Sequence, residues 1–289
     1  MSVNYPHLGS TGDGYVLGVN ADELARLGLQ HRLWSDAAHA LWRDAGLQPG
    51  HRVLDLGAGP GFAAADLLQI VAASSPGYPR GSVIAVDESR SYLEHAAAYA
   101  RARSGIELEV LHADLNQSDS LAPLAGKDLD AAYARWVFCF VKDPQAVITG
   151  VREALKPGGR LIVQDYFDYE SMTVAPRRES FTKAVAATGK SWRLRGGDPD
   201  VIGRLPGLLE GSGFRVTLLR AHQRIARPHE QMWHWPHTFW HNFLPVLVGL
   251  GLLTEDDHRQ WLRDWEELST IPGAFAKLPP VFDLIAEKR

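Results

Sequence analysis

The most constraining feature of the chain is a short apolar run that ends in three closely spaced glycines. The run covers 53–56, and Gly57, Gly59 and Gly61 follow it in the pattern G-x-G-x-G. Glycine accepts positive φ and lets a ligand approach bare backbone, so the pattern predicts a tight turn after a strand. Residues 62–68 are typical of the start of a helix, whose free N–H groups would face an anionic or acceptor-rich ligand in the turn.

Downstream of this turn, short apolar runs alternate with helical patterns. The next runs lie at 83–86, 108–111, 129–133 and 160–163, and predicted helices separate most of them. Short apolar strands joined by helical crossovers indicate a parallel sheet with helices on both faces. In such sheets a ligand binds beyond the carboxyl ends of the strands, so functional residues should directly follow the strands in the sequence.

Outer segments surround this α/β core. We predict an N-terminal helical cap over 1–50, a core over 51–226, an aromatic-rich helical insertion over 227–275 that covers the substrate, and a last core strand within 276–289. The cap should contain two helices, one beginning at Asn20 and one over 37–45, and a later helix should begin at Asp198-Pro199. The expected fold class is α/β, a Rossmann-like, doubly wound sheet of seven mostly parallel strands with an antiparallel last strand.

Charge and cysteine content exclude several kinds of protein. The formal net charge is −4 at pH 7, with acidic and basic residues mixed along the chain, so no basic stripe indicates nucleic-acid binding. Cys139 is the only cysteine, which excludes an intrachain disulfide and fits a reducing compartment. The N-terminus has no signal-peptide pattern, and the apolar stretch 243–253 is too short to span a bilayer. We expect a cytoplasmic protein with a small-molecule substrate, no nucleic-acid partner and no membrane span, and we leave a homodimer open.

Acidic residues follow the second and third predicted strands. Asp87 closes the second strand, where a carboxylate can accept both hydroxyls of a ribose that lies over the glycine turn. Asp114 ends the third strand and can accept a hydrogen bond from an adenine amino group, while Leu115 contacts the ring. The alternatives are that Asp87 caps the next helix and that Asp114 is a solvated loop residue. With Asp55, two residues before the first glycine, these acids stand in order at successive strand ends.

This ordered set resembles the class I S-adenosylmethionine (SAM) dependent methyltransferases. The resemblance rests on the Asp-x-Gly-x-Gly-x-Gly pattern from Asp55, on the later acids, and on the turn at 156–159, Lys-Pro-Gly-Gly. It covers residues 52 to about 165 and points to the small-molecule branch, which includes ubiquinone and menaquinone methyltransferases. It implies SAM as the cofactor and requires no metal.

The resemblance also implies which residues meet the cofactor. The glycine turn would pass close to the methionine part of SAM, the second strand end would hold the ribose, and the third would hold the adenine. The loop after the fourth strand would contact the methionine part and face the substrate. In this chain the corresponding residues are Asp55, Gly57, Ala58, Gly59, Gly61, Asp87, Glu88, Asp114, Leu115, Arg135 and Trp136.

The outer segments are candidates for the substrate pocket. In the cap, Tyr15, Gln30 and Trp34 are expected to cover SAM and substrate, although aromatics at helical spacing also serve to pack helices onto a sheet. The insertion is dense in aromatic and histidine side chains, which suits a flat, apolar ligand but also a buried helix pair. Its candidate residues are Met232, Trp233, His234, Trp235, His237, Phe239, Trp240, His241 and Phe243.

Four residues are candidates for catalysis. His237 and His241, with His234, share one predicted helix face, and one of them could act as a general base because histidine titrates near neutral pH. Zinc binding by the three is the weaker alternative, since no cysteine or carboxylate completes the set. Asp165 and Tyr166 follow the fifth strand, where they could orient an acceptor or merely cap a loop.

The predicted function is methyl transfer from SAM to a small, aromatic or hydrophobic metabolite by direct in-line displacement. One alternative is a nicotinamide-dependent oxidoreductase, which would share the strand, glycine turn and following acid but would need a pyrophosphate cradle. The other is a SAM-binding protein that performs different chemistry on the same fold, because fold does not determine function.

Overall fold

The computed structural model describes residues 21–73, 77 and 79–289. Tyr15 and Asn20 lie outside the described residues. In the described part of the chain the strands are β1 (Arg52–Leu56), β2 (Ser82–Asp87), β3 (Glu109–His112), β4 (Leu129–Arg135), β5 (Leu155–Tyr166), β6 (Thr173–Ala175), β7 (Phe214–His222), β8 (Ile225–Ala226), β9 (Phe275–Lys277) and β10 (Val281–Lys288). The α-helices are α1 (Ala21–Asp44), α2 (Phe62–Val71), α3 (Arg90–Ser104), α4 (Pro144–Ala154), α5 (Glu179–Leu194), α6 (Leu205–Gly211), α7 (His234–Gly249) and α8 (Glu255–Thr270).

Seven strands form the main sheet in the order β3-β2-β1-β4-β5-β10-β7. The pairs among β1 to β5 are parallel, and β10 runs antiparallel to both of its neighbours. The chain order reverses between β1 and β4, so their carboxyl ends open onto the crevice where such sheets bind ligands. The predicted fold class is confirmed.

Both faces of the sheet are buried, which explains why its central strands are almost continuously apolar. On β1, Leu54 and Leu56 belong to one core cluster, whereas Val53 belongs to a second cluster on the opposite face. Alternate side chains of a strand point to opposite faces, so helices must cover each side. The glycine turn therefore lies at the end of a rigid, fully packed strand.

The N-terminal cap differs from the prediction, because α1 is one continuous helix rather than two. Trp34, Ala38 and Leu41 are fully buried and recur at helical spacing across the expected break. Ser35 does not interrupt the helix, since its hydroxyl donates to the backbone oxygen of Arg32 at 3.0 Å. The cap thereby lays one long helix beside the carboxyl ends of the strands.

The segment after β5 also departs from the predicted elements. Asp198-Pro199 is followed by a 3₁₀ turn, Val201–Gly203, and α6 begins only at Leu205. A small antiparallel sheet in the order β6-β9-β8, absent from the prediction, connects regions far apart in sequence. The four-part division of the chain stays a prediction.

The helical insertion is held by stacked aromatic rings. Trp233 and Trp265 stack with centroids 4.1 Å apart, and Trp265 also stacks with Phe181 of α5 at 6.0 Å. Much of the aromatic content of this insertion thus packs α7, α8 and α5 together. Within the described part of the chain, no helix is long and apolar enough to cross a membrane.

Candidate active site

A cavity of about 700 Å³ opens beyond the carboxyl ends of β1, β2 and β4. The glycine turn after β1 forms its floor, α1 forms one wall, and α7 and the end of α5 form another. Sixteen of the sequence-predicted candidate residues line it: Gln30, Asp55, Gly57, Ala58, Gly59, Asp87, Glu88, Asp114, Leu115, Arg135, Trp136, Tyr166, Trp235, Phe239, Trp240 and Phe243.

Gly59 and Gly61 have different structural roles in the turn. Gly59 has φ +53°, and a Cβ at this position would meet no atom within 4 Å, so the backbone is bare where it borders the cavity. Gly61 has φ +83° and does not line the cavity, and a Cβ there would lie 2.3 Å from the Cβ of Ala96 on α3. Gly59 therefore serves access to the cavity, whereas Gly61 allows α2 and α3 to pack closely.

Two aspartates lie at the carboxyl ends of β2 and β3, at one end of the cavity. Asp87 accepts hydrogen bonds from the backbone N–H groups of Gly59 at 2.7 Å and of Ser89 at 2.9 Å. Asp114 accepts one from the backbone N–H of Asn116 at 2.8 Å, which fixes its loop. Backbone donors thus orient both carboxylates at the cavity wall.

A buried aspartate and a half-buried arginine lie near the glycine turn. Asp55 is 2% exposed, and its Oδ2 has no hydrogen-bond partner among the described residues. Burial raises the pKa of Asp55 to about 7, with Asp87 adding to the increase and Arg135 opposing it. Arg135 donates a hydrogen bond through one terminal nitrogen to Nδ1 of His31 at 3.0 Å. Its other terminal nitrogen is buried and has no hydrogen-bond partner among the described residues. Buried unpartnered groups of opposite charge indicate that a ligand with matching charges completes this end.

The opposite end of the cavity is aromatic. Trp136, at the end of β4, stacks with Tyr166 at a centroid distance of 6.1 Å and contacts Trp235 at 5.8 Å. Trp235 is fixed by a 2.9 Å hydrogen bond from its indole N–H to the side-chain oxygen of Gln30. The remaining wall of this end comes from β5, α5, α7 and their loops, namely Tyr169, Met172, Trp192, Phe239, Trp240 and Phe243.

Comparison with known proteins assigns most of the α/β core to a protein family. Residues 54–163 match the family described as a methyltransferase domain. The matched residues form the domain of a class I SAM-dependent methyltransferase. SAM is the cofactor of this family, so the alternative of a nicotinamide-dependent oxidoreductase is wrong.

The sequence similarity of this methyltransferase to individual relatives extends over different lengths. A ubiquinone/menaquinone biosynthesis C-methyltransferase of Vibrio cholerae is 26% identical over 213 residues, covering 67% of this chain and 77% of that protein. An uncharacterized 37.1 kDa protein in a transposon of Streptomyces fradiae is 32% identical over 127 residues, which cover 44% of this chain and only 33% of that protein.

Solved structures share the fold of this methyltransferase. The YcgJ protein of Bacillus subtilis has a TM-score of 0.57 at 14% identity, with 87% of this chain and 99% of that chain covered. The [4+2]-cyclase SpnF has a TM-score of 0.54 at 19% identity, with 88% and 80% covered. At these identities the likeness concerns the fold alone.

The methyltransferase does not bring all expected residues to its cavity. His237 and His241 lie outside the cavity wall, as do Met232, Trp233 and His234. His237 instead accepts a 3.0 Å hydrogen bond from the indole N–H of Trp265, on the face of α7 that meets α8. Burial and the neighbouring His241 and His234 lower the pKa of His237 to about 4. These histidines therefore lie away from the cavity. The described residues contain no cluster of three or more His, Cys, Asp or Glu side chains that could hold a metal ion.

Asp165 and Trp34 also have structural roles in this methyltransferase. Asp165 is fully buried and accepts hydrogen bonds from the backbone N–H groups of Cys139 at 3.1 Å and Tyr166 at 2.9 Å, so it fixes the loop after β4. Burial raises its pKa to about 6. Trp34 is fully buried and packs edge-on against Trp136 at 5.6 Å, behind the cavity wall.

Sequence reasoning missed several cavity residues of the methyltransferase. His31 lines the cavity and contacts Arg135, but no motif in the sequence singles it out. Trp192 lies in the last turn of α5, which ends at Leu194, and no motif in the sequence marks it. Three of the four residues at 166–169 are aromatic, a pattern that could have indicated Tyr169 as a cavity residue. No pattern in the neighbouring sequence indicates Met172.

Proposed function

We propose that this methyltransferase transfers a methyl group from SAM to a small, largely apolar or aromatic metabolite by direct in-line displacement. The observation that carries the proposal is a single cavity with one polar, charge-bearing end and one aromatic end. Methyl transfer needs such a joint space, because sulfur, methyl group and acceptor atom must lie in line.

The polar end fits the parts of SAM. The unpartnered Asp55 and Arg135 groups match the ammonium and carboxylate of a methionine moiety in charge. We assign Asp87 to the ribose, and Asp114 with Leu115 to the adenine. When bound, SAM supplies an electrophilic methyl group on a positively charged sulfur.

The aromatic end fits an apolar acceptor. Tyr166 and Trp192 are 8% and 4% exposed, so their rings form a wall that excludes water. Transfer to a neutral or anionic acceptor disperses the sulfonium charge, so a dry environment favours the reaction. The name of the Vibrio cholerae relative describes a C-methyltransferase of quinone biosynthesis, which supports a small aromatic acceptor. No cavity residue is assigned as a general base.

Binding and transfer test the proposal separately. We expect saturable binding of S-adenosylhomocysteine by calorimetry, and transfer of a labelled methyl group to at least one member of a panel of phenols, quinols and aromatic amines. Absence of binding by the wild-type protein would overturn the proposal at its first step. A cytoplasmic location, the absence of nucleic-acid binding and a homodimer stay predictions.

A second candidate function is different chemistry around a bound SAM. It stays open because fold does not determine function, and a protein described as a [4+2]-cyclase, SpnF, shares this fold. The two functions separate in the same assay. Binding of S-adenosylhomocysteine without transfer of label to any acceptor would favour the second.

A further inference from the structure

Arg135 carries a buried guanidinium nitrogen that has no hydrogen-bond partner among the described residues, and it forms no ion pair within 4 Å among them. Its Cζ lies 5.2 Å from the ring centre of Trp136, and its one hydrogen bond to a described side chain goes to Nδ1 of His31 at 3.0 Å. An arginine has several rotatable bonds, so contacts are needed to select one orientation of its guanidinium group. His31 is the polar group that does so.

His31 is itself fixed on both sides. Its Nε2 lies 3.0 Å from Oδ2 of Asp66 on α2, and its ring stacks on Phe62 with centroids 5.9 Å apart. A carboxylate accepts a hydrogen bond, so Nε2 carries the proton and Nδ1 is left as an acceptor. Arg135 only donates, and therefore matches this tautomer. Both ring nitrogens of His31 are engaged, which leaves neither for a ligand in the cavity.

We propose that His31, held by Asp66, is a positioning residue that aims Arg135 at the carboxylate of the cofactor's methionine moiety. The inference rests on the proposed SAM site. It assigns a binding function to a connection between α2, α1 and β4 that spans residues 31, 66 and 135. Asp66 and His31 act through Arg135 and do not take part in the methyl transfer.

The protonation state of His31 decides whether the connection holds. Burial lowers the pKa of His31, and the Arg135 and His39 charges lower it further, whereas Asp66 opposes them. His39 also lies 3.1 Å from the same Asp66 oxygen, and Arg103 of α3 lies 3.6 Å from the other. Protonated His31 would present an N–H to the Arg135 donor and break the contact. Neutral His31 is therefore the competent form, and acid should weaken binding.

Two ligands separate positioning from general damage. S-adenosylhomocysteine carries the amino-acid portion, whereas 5′-methylthioadenosine lacks it and cannot use Arg135. We expect His31→Phe, which keeps a ring to stack on Phe62, to weaken S-adenosylhomocysteine about tenfold, as loss of a charge-assisted hydrogen bond does. Its affinity for 5′-methylthioadenosine should stay within about twofold of wild type. Calorimetry at pH 7.5 measures both.

A matched pair of polar variants tests the tautomer. His31→Asn places an amide near Nδ1, where it can accept from Arg135, whereas His31→Gln places one near Nε2 and keeps only the Asp66 contact. Asn should therefore preserve more of the affinity for S-adenosylhomocysteine than Gln. The wild-type affinity should also fall as the pH drops below the ordinary histidine pKa of 6.5, and it should fall more steeply than in His31→Phe, in which Asp55 still titrates but residue 31 does not.

The outcomes distinguish this inference from the proposed function. If wild type binds neither ligand, the SAM site itself fails. If wild type binds and His31→Phe binds S-adenosylhomocysteine equally well, only the positioning role fails. Equal weakening for both ligands would indicate a merely structural residue and would also overturn it. The Asn and Gln pair decides the matter should His31→Phe not fold.

Discussion

The carboxylate of Asp87 accepts a hydrogen bond from the backbone N–H of Gly59 across 2.7 Å. This contact joins the end of β2 to the turn after β1, so two features separated by 28 residues become one wall of the cavity. A second backbone N–H, that of Ser89, donates to the other carboxylate oxygen at 2.9 Å. The position of the acid is thus set by the backbone rather than by flexible side chains.

Replacing Asp87 should remove cofactor binding more than it removes stability. In Asp87→Asn the amide cannot accept from both backbone donors and carries no charge for ribose hydroxyls. We expect the affinity for S-adenosylhomocysteine to fall about tenfold to a hundredfold, with a loss of stability of about 1 kcal/mol. Calorimetry and urea unfolding measure the two effects. Asp256→Asn, an exposed site on α8, is the control and should change neither.

Alanine should lower stability far less at Gly59 than at Gly61, and at Gly59 it should also weaken ligand binding. Gly59→Ala adds a methyl group that meets no protein atom within 4 Å, so the cost to folding is the backbone strain of about 1–2 kcal/mol, while ligand affinity falls. Gly61→Ala places its methyl group 2.3 Å from that of Ala96 and forces α2 from α3, with a cost of about 3 kcal/mol or more. Urea unfolding and calorimetry compare them, and an equal stability loss in both variants would contradict the assignment.

Asp55 should make the unliganded protein less stable as the pH rises. Its pKa changes from an ordinary value of 3.8 in the unfolded chain to about 7 in the folded one. Between these values the unfolded chain has released a proton that the folded chain keeps, so the free energy of unfolding falls with increasing pH. Asp55→Asn lacks this dependence. Relative to wild type, it should gain up to about 4 kcal/mol between pH 4 and pH 8, measured by urea unfolding. Parallel curves for the two proteins would refute this.

The sequence predicted the polar end of the cavity because each of its parts is local. Asp55, Gly59 and Asp87 each stand at a strand end that apolar patterning reveals, and parallel strands bring such ends together. The contact between His31 and Arg135 joins residues 104 apart and has no local signature. On α7, helical spacing correctly placed the histidines on one face, but which face meets the cavity depends on how α8 packs.

Trp192 should determine the acceptor and not the cofactor. It lies at the aromatic end, where its ring packs against Phe140 and Tyr169 at 4.9 Å each. Trp192→Phe leaves space for the acceptor to shift, so its KM should rise about tenfold, as a change of about 1–3 kcal/mol in an apolar pocket implies. Affinity for S-adenosylhomocysteine should stay within about twofold. Trp261→Phe is a matched control, because Trp261 is equally buried but does not line the cavity. A loss of cofactor affinity in Trp192→Phe alone would place its ring at the wrong end.

His237 should affect stability against acid and leave the reaction unchanged. Its pKa falls from an ordinary 6.5 to about 4 through burial and the neighbouring His241 and His234. Between these values the unfolded chain binds a proton that the folded chain does not, so stability decreases as the pH falls from 6.5 towards 4. His237→Asn still offers Trp265 an acceptor and should flatten that decrease in urea unfolding.

The reaction itself separates this structural role from a catalytic one. His237 lies outside the cavity, so kcat for His237→Asn should stay within about twofold of wild type, with an unchanged pH profile of activity. General bases contribute about a hundredfold or more to rate, which makes the distinction large. A fall in kcat of that size, with the affinity for S-adenosylhomocysteine retained, would restore His237 as the base and require α7 to turn towards the cavity when the acceptor binds.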